Sequence, residues 1–249
     1  SNAPKVEKQI ISFKNGLAEL PQLLVAALGE AVHANVSISS IQKIRAGWRV
    51  DWNGKTHIYD EVLLTTPAHA LNKLPLDESL QKALQPLLKI NYSPVSVLTL
   101  AFKQSDVDHP LDGFGVLVPE YEGRKILGVL FPASLFASRA PAGEVLLTVF
   151  LGGERQAELA VPDKDTLLAT VLPELNELFG TTGEPTFSHH RHWPRAIPQY
   201  NLGYGKMLAQ MDAIEKKFAG LKLAGNYRDG ISLSYCIEAA VSKEGHLIA

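Results

Sequence analysis

Between residues 92 and 152 the chain carries four runs rich in apolar and β-branched side chains: Ser93 to Phe102, Gly113 to Pro119, Ile126 to Phe131 and Val145 to Gly152. Turn-forming residues separate them, at His109-Pro110, Glu122-Gly123 and Pro141-Ala142-Gly143. Extended runs joined this closely have no room for the crossover that a parallel pair needs, so they fold into an antiparallel sheet. Whatever else the chain does, it must build a domain around that sheet.

The flanking segments read as helices and smaller strands. Leu17, Leu20, Leu24 and Leu28 recur at helical spacing between Asn15-Gly16 and Gly29, which predicts an amphipathic helix. Val36 to Ile44, Trp48 to Trp52 and His57 to Thr65 alternate, with Asn53-Gly54 as a hairpin signal, and predict a small antiparallel unit ending at Thr66-Pro67. A helical stretch to about Leu88 is interrupted by Pro75 and Pro86. Beyond the sheet, Val161-Pro162-Asp163 opens a helix through Phe179 with Leu168, Leu172, Leu175 and Phe179 on one stripe. Asp163 and Asp165 read as its starting residues. Extended structure follows over Thr186 to Trp193, a helix over Tyr204 to Phe218, a strand over Gly220 to Ala224 and a last helix over Ser232 to Lys243. The fold class is α+β, with an antiparallel or mixed sheet domain and a strand-turn-helix unit at the end.

Composition narrows the function. The net charge of -2 offers no basic field for gripping a phosphate backbone, which argues against nucleic-acid binding. A single cysteine, Cys236, permits neither an intramolecular disulfide nor a cysteine-based zinc site and suits a reducing cytoplasm. The longest apolar stretches, near Leu20 to Leu28, Val95 to Phe102 and Val145 to Leu151, fall short of the ~20 residues of a spanning helix, so membrane contact is expected to be peripheral at most. Ser1-Asn2-Ala3 reads as the remnant of a cleaved tag.

The strongest chemical signal is Leu223 to Ala240, LAGNYRDGISLSYCIEAA, where a strand ends at Gly225 and Ser232 or Ser234 can start a helix. The start of a helix offers free N–H groups and the positive end of its dipole to an electron-rich ligand. Gly225 and Gly230 either let a ligand approach the backbone or only supply unusual backbone angles. His189, His190 and His192 suggest a metal cluster, but His190 is expected to face away from the other two and no carboxylate or cysteine completes a site, so no metal is expected. Ser232 lacks the G-x-S-x-G elbow of a nucleophilic serine.

That last segment resembles the C-terminal flavin-contacting motif of the protoporphyrinogen oxidases, within the amine-oxidase-like flavoprotein superfamily. The resemblance extends over SFKNGLAELPQLL (Ser12 to Leu24), DEVLLTTPAHAL (Asp60 to Leu71), DGFGVLVPE (Asp112 to Glu120), LGVLFPASLFASRAP (Leu127 to Pro141), LLTVFLGG (Leu146 to Gly153) and HWPRAIPQYNLGY (His192 to Tyr204). It covers nearly the whole chain, in the family's order. It implies three segments: 4–90 as part of an FAD-binding domain, 91–218 as the substrate-binding sheet domain and 219–249 as the C-terminal part that meets FAD. Val36, Thr66, Pro67, Gly225, Asn226, Ile231, Ser232 and Leu233 are the implied cofactor-binding positions. Leu117 and Phe136 would line an apolar pocket that clamps a flat tetrapyrrole. Arg191 and Arg195 are candidates to pair with its propionates, beside the simpler reading of solvated arginines. The sequence departs from the family at Ser234, where glycine is usual, and at Tyr235, where a polar residue is usual.

The implied function is oxidation of protoporphyrinogen IX to protoporphyrin IX with FAD, in which the cofactor carries the chemistry and no catalytic residue can be named in this chain. No segment supplies G-x-G-x-x-G between a strand and a helix, so an N-terminal dinucleotide-binding half is expected to precede this one, and the chain alone is expected to bind FAD weakly and to be inactive. Two alternatives stand beside this reading: another flavin enzyme acting on an amine or a carotenoid, and a non-catalytic tetrapyrrole-binding protein. A cytoplasmic location, peripheral contact with the cytoplasmic membrane and a homodimer complete the expectations.

Overall fold

A computed structural model describes residues 10–247. The chain divides into two compact units, Ser1–Ser37 and Ile38–Ala249. In the first, α1 (Glu19–Leu28) begins just after Gly16, where the Asn15 N–H donates to the Glu19 carboxylate at 3.1 Å. It ends at Gly29, whose φ of 54° reverses the chain while its N–H bonds to the Val25 carbonyl. The boundaries agree with the sequence signals, and Leu23, Leu24, Val25 and Leu28 remain exposed.

The second unit holds two apolar cores. Strands β1 (Ile38–Ile44), β2 (Gly47–Trp52) and β3 (Lys55–Tyr59) form an antiparallel meander. Its second turn is Asn53-Gly54, with φ of 49° and 73°, the left-handed pair that a two-residue hairpin needs. The run expected to be one strand from His57 to Thr65 is two. The chain breaks after Tyr59, and β4 (Val62–Leu64) leaves the meander to pair in parallel with β10 (Leu221–Leu223). Short helical turns Ala68–Lys73 and Gln85–Lys89 flank α2 (Glu78–Leu84), which Asp77 caps by accepting the Leu80 N–H at 3.0 Å. Helix α5 (Gly205–Lys217) closes this core with Met211 and Ile214, although a domain boundary at residue 218 would assign it to the large sheet.

The second core lies under a five-stranded antiparallel sheet of β5 (Tyr92–Lys103), β6 (Gly115–Leu117), β7 (Gly128–Leu130), β8 (Glu144–Gly152) and β9 (Phe187–Pro198), ordered β6-β7-β8-β5-β9. A short helix, α3 (Pro132–Leu135), links β7 towards β8. One sheet face presents Leu98, Leu100, Phe102, Leu147, Val149 and Leu151 to α4 (Lys164–Phe179), capped by Asp163 through the Thr166 N–H at 2.7 Å. The buried stripe of α4 is Leu167, Val171, Leu175 and Phe179, with Leu168 and Leu172 only partly covered. The last helix, α6 (Leu233–Leu247), follows Ser232, whose hydroxyl accepts the Tyr235 N–H at 3.2 Å.

Strand geometry corrects the reading of the histidines. Residues two apart share a face, so His190 and His192 project together and both reach the buried Ser96 hydroxyl at 3.2 Å, leaving His189 on the opposite face. Ser96 gives its one hydrogen to the Val161 carbonyl at 2.8 Å, so both imidazoles must donate N–H to it. No group of three His, Cys, Asp or Glu that could hold a metal gathers among the described residues.

Burial, and then His192 and His189, hold His190 below the usual histidine range. The unfolded chain therefore takes up that proton first, and the contribution to stability is complete above about pH 6.5 and lost as pH falls through the lower folded value. Melting temperature is expected to fall as pH is lowered below about 6.5. His190→Gln, which keeps an N–H donor for Ser96, should flatten that fall without abolishing it, because burial depresses His69 as well. An unaltered fall in the variant would show that His190 is not its source.

Candidate functional site

Two features stand out: an apolar slot on the open face of the five-stranded sheet, and the turn from β10 to α6. The slot follows from the sequence of β5. Leu98, Leu100 and Phe102 fill the core, yet on the opposite face stand Val95 and Val97, where a solvated face would carry polar residues. Val97 pairs with Phe150 on one side, Phe150 with Gly128, and Gly128 with Leu117, so Leu117, Gly128, Phe150 and Val97 form one row across four strands. A β-carbon on Gly128 would come 2.6 Å from the Val116 carbonyl oxygen, so this position takes only glycine and leaves the floor of the slot low.

The row lines a cavity of about 530 Å³ together with Val95, Leu127, Trp193 and Ile197, within the volume range of small-molecule sites. Leu117 is 89% exposed and Trp193 46% exposed, so large apolar surface is presented to solvent rather than packed. Each ~100 Å² of apolar surface covered there would contribute roughly 2.5 kcal/mol before the costs of binding. Of the two pocket residues expected from the sequence, Leu117 lines this cavity. Phe136 stands outside the lining, at the end of α3, where the Arg139 guanidinium lies 5.6 Å from its ring centre. Arg195 lines a different, polar recess with His69, Lys89 and Asn91.

The turn is built where two parallel strands end side by side. The Ala224 N–H donates to the Leu64 carbonyl at 3.0 Å, which sets Thr66-Pro67 beside Gly225-Asn226. Four of the expected cofactor positions are thereby brought together by non-local pairing. The Gly225 N–H donates to the Asp229 carboxylate at 3.0 Å, and Arg228 is fixed by Glu215 and Asp212 at 2.7 Å each. Tyr200 donates its hydroxyl to the Asn226 carbonyl at 2.6 Å and accepts the Gly230 N–H at 3.1 Å, while Tyr204 donates to the Tyr227 carbonyl at 2.5 Å. Burial pushes the Tyr200, Tyr204 and Tyr227 phenols up and keeps them neutral; Tyr200 and Tyr204 act through these hydrogen bonds, whereas the Tyr227 hydroxyl is buried without a partner.

The two glycines do not hold their β sides open for a ligand. At Gly225, with φ of 130°, an added β-carbon would lie 3.3 Å from the Tyr227 ring. At Gly230, with φ of 112°, it would lie 2.8 Å from Tyr235. Both positions serve backbone geometry and the packing of the chain's own tyrosines, and Tyr235 is one of the two residues at which the sequence departs from the family pattern. What the turn does leave exposed is Ile231, Ser232 and Leu233 at the start of α6. The Thr66 hydroxyl is buried without a hydrogen-bond partner. Val36 lies in the first unit, half-buried, after the left-handed Asn35.

Slot and turn are adjoining through β9. Tyr200, which clasps the turn, lies three residues after Ile197 of the slot, no more than ~11 Å of extended chain. Sequence reasoning missed Val95, Val97, Phe150, Trp193 and Tyr200. The apolar character of both faces of β5 was the available signal for the first two.

The sequence profile of the flavin containing amine oxidoreductases matches residues 3–243. A mitochondrial protoporphyrinogen oxidase of Nicotiana tabacum is 37% identical over 73% of this chain and 37% of its own length. The chloroplastic/mitochondrial protoporphyrinogen oxidase 2 of Arabidopsis thaliana is 33% identical over 91% of the chain and 47% of its own length. The crystal structure of a protein provisionally named a protoporphyrinogen oxidase, from Exiguobacterium sp. 255-15, superposes with a TM-score of 0.79 at 22% identity, over 95% of this chain and 51% of that one. The chain thus spans about half or less of the length of these proteins. On the match of nearly its whole length, the chain belongs to the family of flavin-containing amine oxidoreductases.

Proposed function

We propose that this chain forms the substrate-binding sheet and one wall of the flavin site of an FAD-dependent oxidase that converts protoporphyrinogen IX to protoporphyrin IX. The observation that carries the reading is the slot, an apolar surface some four strands wide on a sheet whose other face is filled. A flat macrocycle is held chiefly by area burial and ring contact, which Leu117, Phe150, Val97 and Trp193 offer. The likeness to plant protoporphyrinogen oxidases supports the same substrate class.

The residues at the turn fit a flavin. Thr66 holds a buried hydroxyl with no partner, Pro67, Ile231 and Leu233 offer exposed apolar surface, and Ser232 starts a fifteen-residue helix. Asn226 and Gly225 would lie along the same wall. Bound FAD would accept hydride equivalents from the reduced tetrapyrrole carbons. This chain's contribution is to orient the macrocycle, exclude water from its faces and keep the wall rigid through Tyr200, Tyr204 and Arg228. The reading includes a cytoplasmic location and peripheral membrane contact, supported by exposed apolar side chains such as Leu202; among the described residues no helix is long and apolar enough to cross a membrane.

The test is to assay the flavin-loaded gene product that contains this chain with protoporphyrinogen IX, with primary amines and with a carotenoid precursor. Porphyrin fluorescence should rise with the first substrate and turnover should be absent with the others. Oxidation of an amine or carotenoid in preference to the porphyrinogen would displace the proposal.

A further inference from the structure

The row of facing residues does not stop at Val97. Its partner on the outer strand β9 is Arg191, so the full row reads Leu117, Gly128, Phe150, Val97, Arg191 across all five strands. Four strand spacings separate its ends by ~19 Å, the scale of a substituted tetrapyrrole. One end is a bare leucine and the other a guanidinium.

The Arg191 guanidinium lies 4.5 Å from the centre of the Trp193 ring, itself part of the slot wall. Among the described residues no carboxylate forms an ion pair with it. The next row along the sheet, Thr148, Thr99 and His189, also turns polar on this side. A guanidinium over an aromatic ring can still turn N–H groups to a carboxylate, and that pairing is bidentate.

We infer that Arg191 binds a carboxylate on the rim of the planar ligand and fixes which edge of the macrocycle lies over β9, with the uncharged substituents towards Leu117. This rests on the reading of the slot as a tetrapyrrole site. Trp193 is a positioning residue as well as a wall, because the guanidinium lies against its ring. The arrangement selects ligands by where their carboxylates stand, which the apolar rows alone cannot do.

The test is titration of the chain with protoporphyrin IX and with its dimethyl ester, followed by porphyrin absorbance, for wild type, R191Q, R191K and the control R45Q on the β1–β2 turn. Wild type and R45Q should prefer the diacid by about tenfold, the order that a charge-assisted pair supplies. R191Q should bind acid and ester alike, and R191K should recover only part of the preference, since an ammonium cannot form the flat bidentate pair. Raised salt should narrow the gap in wild type and leave R191Q unchanged. If R191Q keeps the full preference, Arg191 is not the partner while the slot reading stands. If neither porphyrin binds wild type, the slot reading falls and this inference with it.

Discussion

Trp48→Ala is expected to lower stability by about 3–5 kcal/mol, the range for removing a large buried aromatic, read as a shift of the urea midpoint by far-UV circular dichroism. Trp48 is fully buried in the first core on β2, and its indole N–H donates to the Ala219 carbonyl at 3.2 Å. Two terms therefore act together: an unfilled cavity and an acceptor that loses its donor. Collapse cannot relieve the first cheaply. Gly220 lies against the indole so closely that a β-carbon there would be 3.0 Å from the ring nitrogen, and backbone, not a movable side chain, forms that wall. Trp48→Phe should fall between, because it restores much of the volume but leaves Ala219 unpaired. A cost below about 1 kcal/mol for the alanine variant would show that the site repacks freely. The effect reaches the functional face, since Ala219 and Gly220 lead directly into β10 and the turn at 225–230.

The large sheet was legible because its runs are long and punctuated. Apolar strands of this length between Pro and Gly turns have few alternatives, and β5 to β8 lie where the pattern puts them. Asn53-Gly54, Asp163 and Gly29 were readable for the same reason: each is a local device whose backbone angle or side-chain bond is settled by its neighbours in sequence. The break after Tyr59 was not readable. Val62 to Leu64 alternates no differently from a continuing β3, and only its parallel partner 159 residues later, at Leu221 to Leu223, decides the sheet it joins. Pairing that distant leaves no periodic trace in either strand.

The candidate site divides in the same way. Gly225 and Ser232 announce a strand-turn-helix, but not that four tyrosines, Tyr200, Tyr204, Tyr227 and Tyr235, pack into and around it. Those contacts arise because α5 and the end of β9 are brought against β10, which is tertiary information. His190 and His192 sharing a face was within reach of strand periodicity alone, and the sequence reading misapplied it. Arg191 gained meaning only from register, because a shift of one residue in the β5–β9 pairing would turn it towards α4 and His190 towards the slot.

Leu117→Asp should weaken binding of protoporphyrin IX by thirtyfold to a hundredfold, about 2–3 kcal/mol, while leaving the folded chain unchanged. The separation of the two effects is what makes this variant informative. Leu117 is 89% exposed on the edge strand β6, so a carboxylate there is solvated in the free protein and costs the fold little. A macrocycle lying across the row from Leu117 to Arg191 would have to strip water from that carboxylate, with no cation among the described residues that line this cavity to compensate, and would lose the leucine contact besides. Leu117→Met, which keeps apolar length, should bind within a few-fold of wild type. Urea midpoints of both variants should match wild type, which separates a lost ligand surface from a damaged sheet. Should Leu117→Asp bind the porphyrin as tightly as wild type, the ligand does not cross the sheet along this row, and the orientation assigned through Arg191 would lose its apolar end.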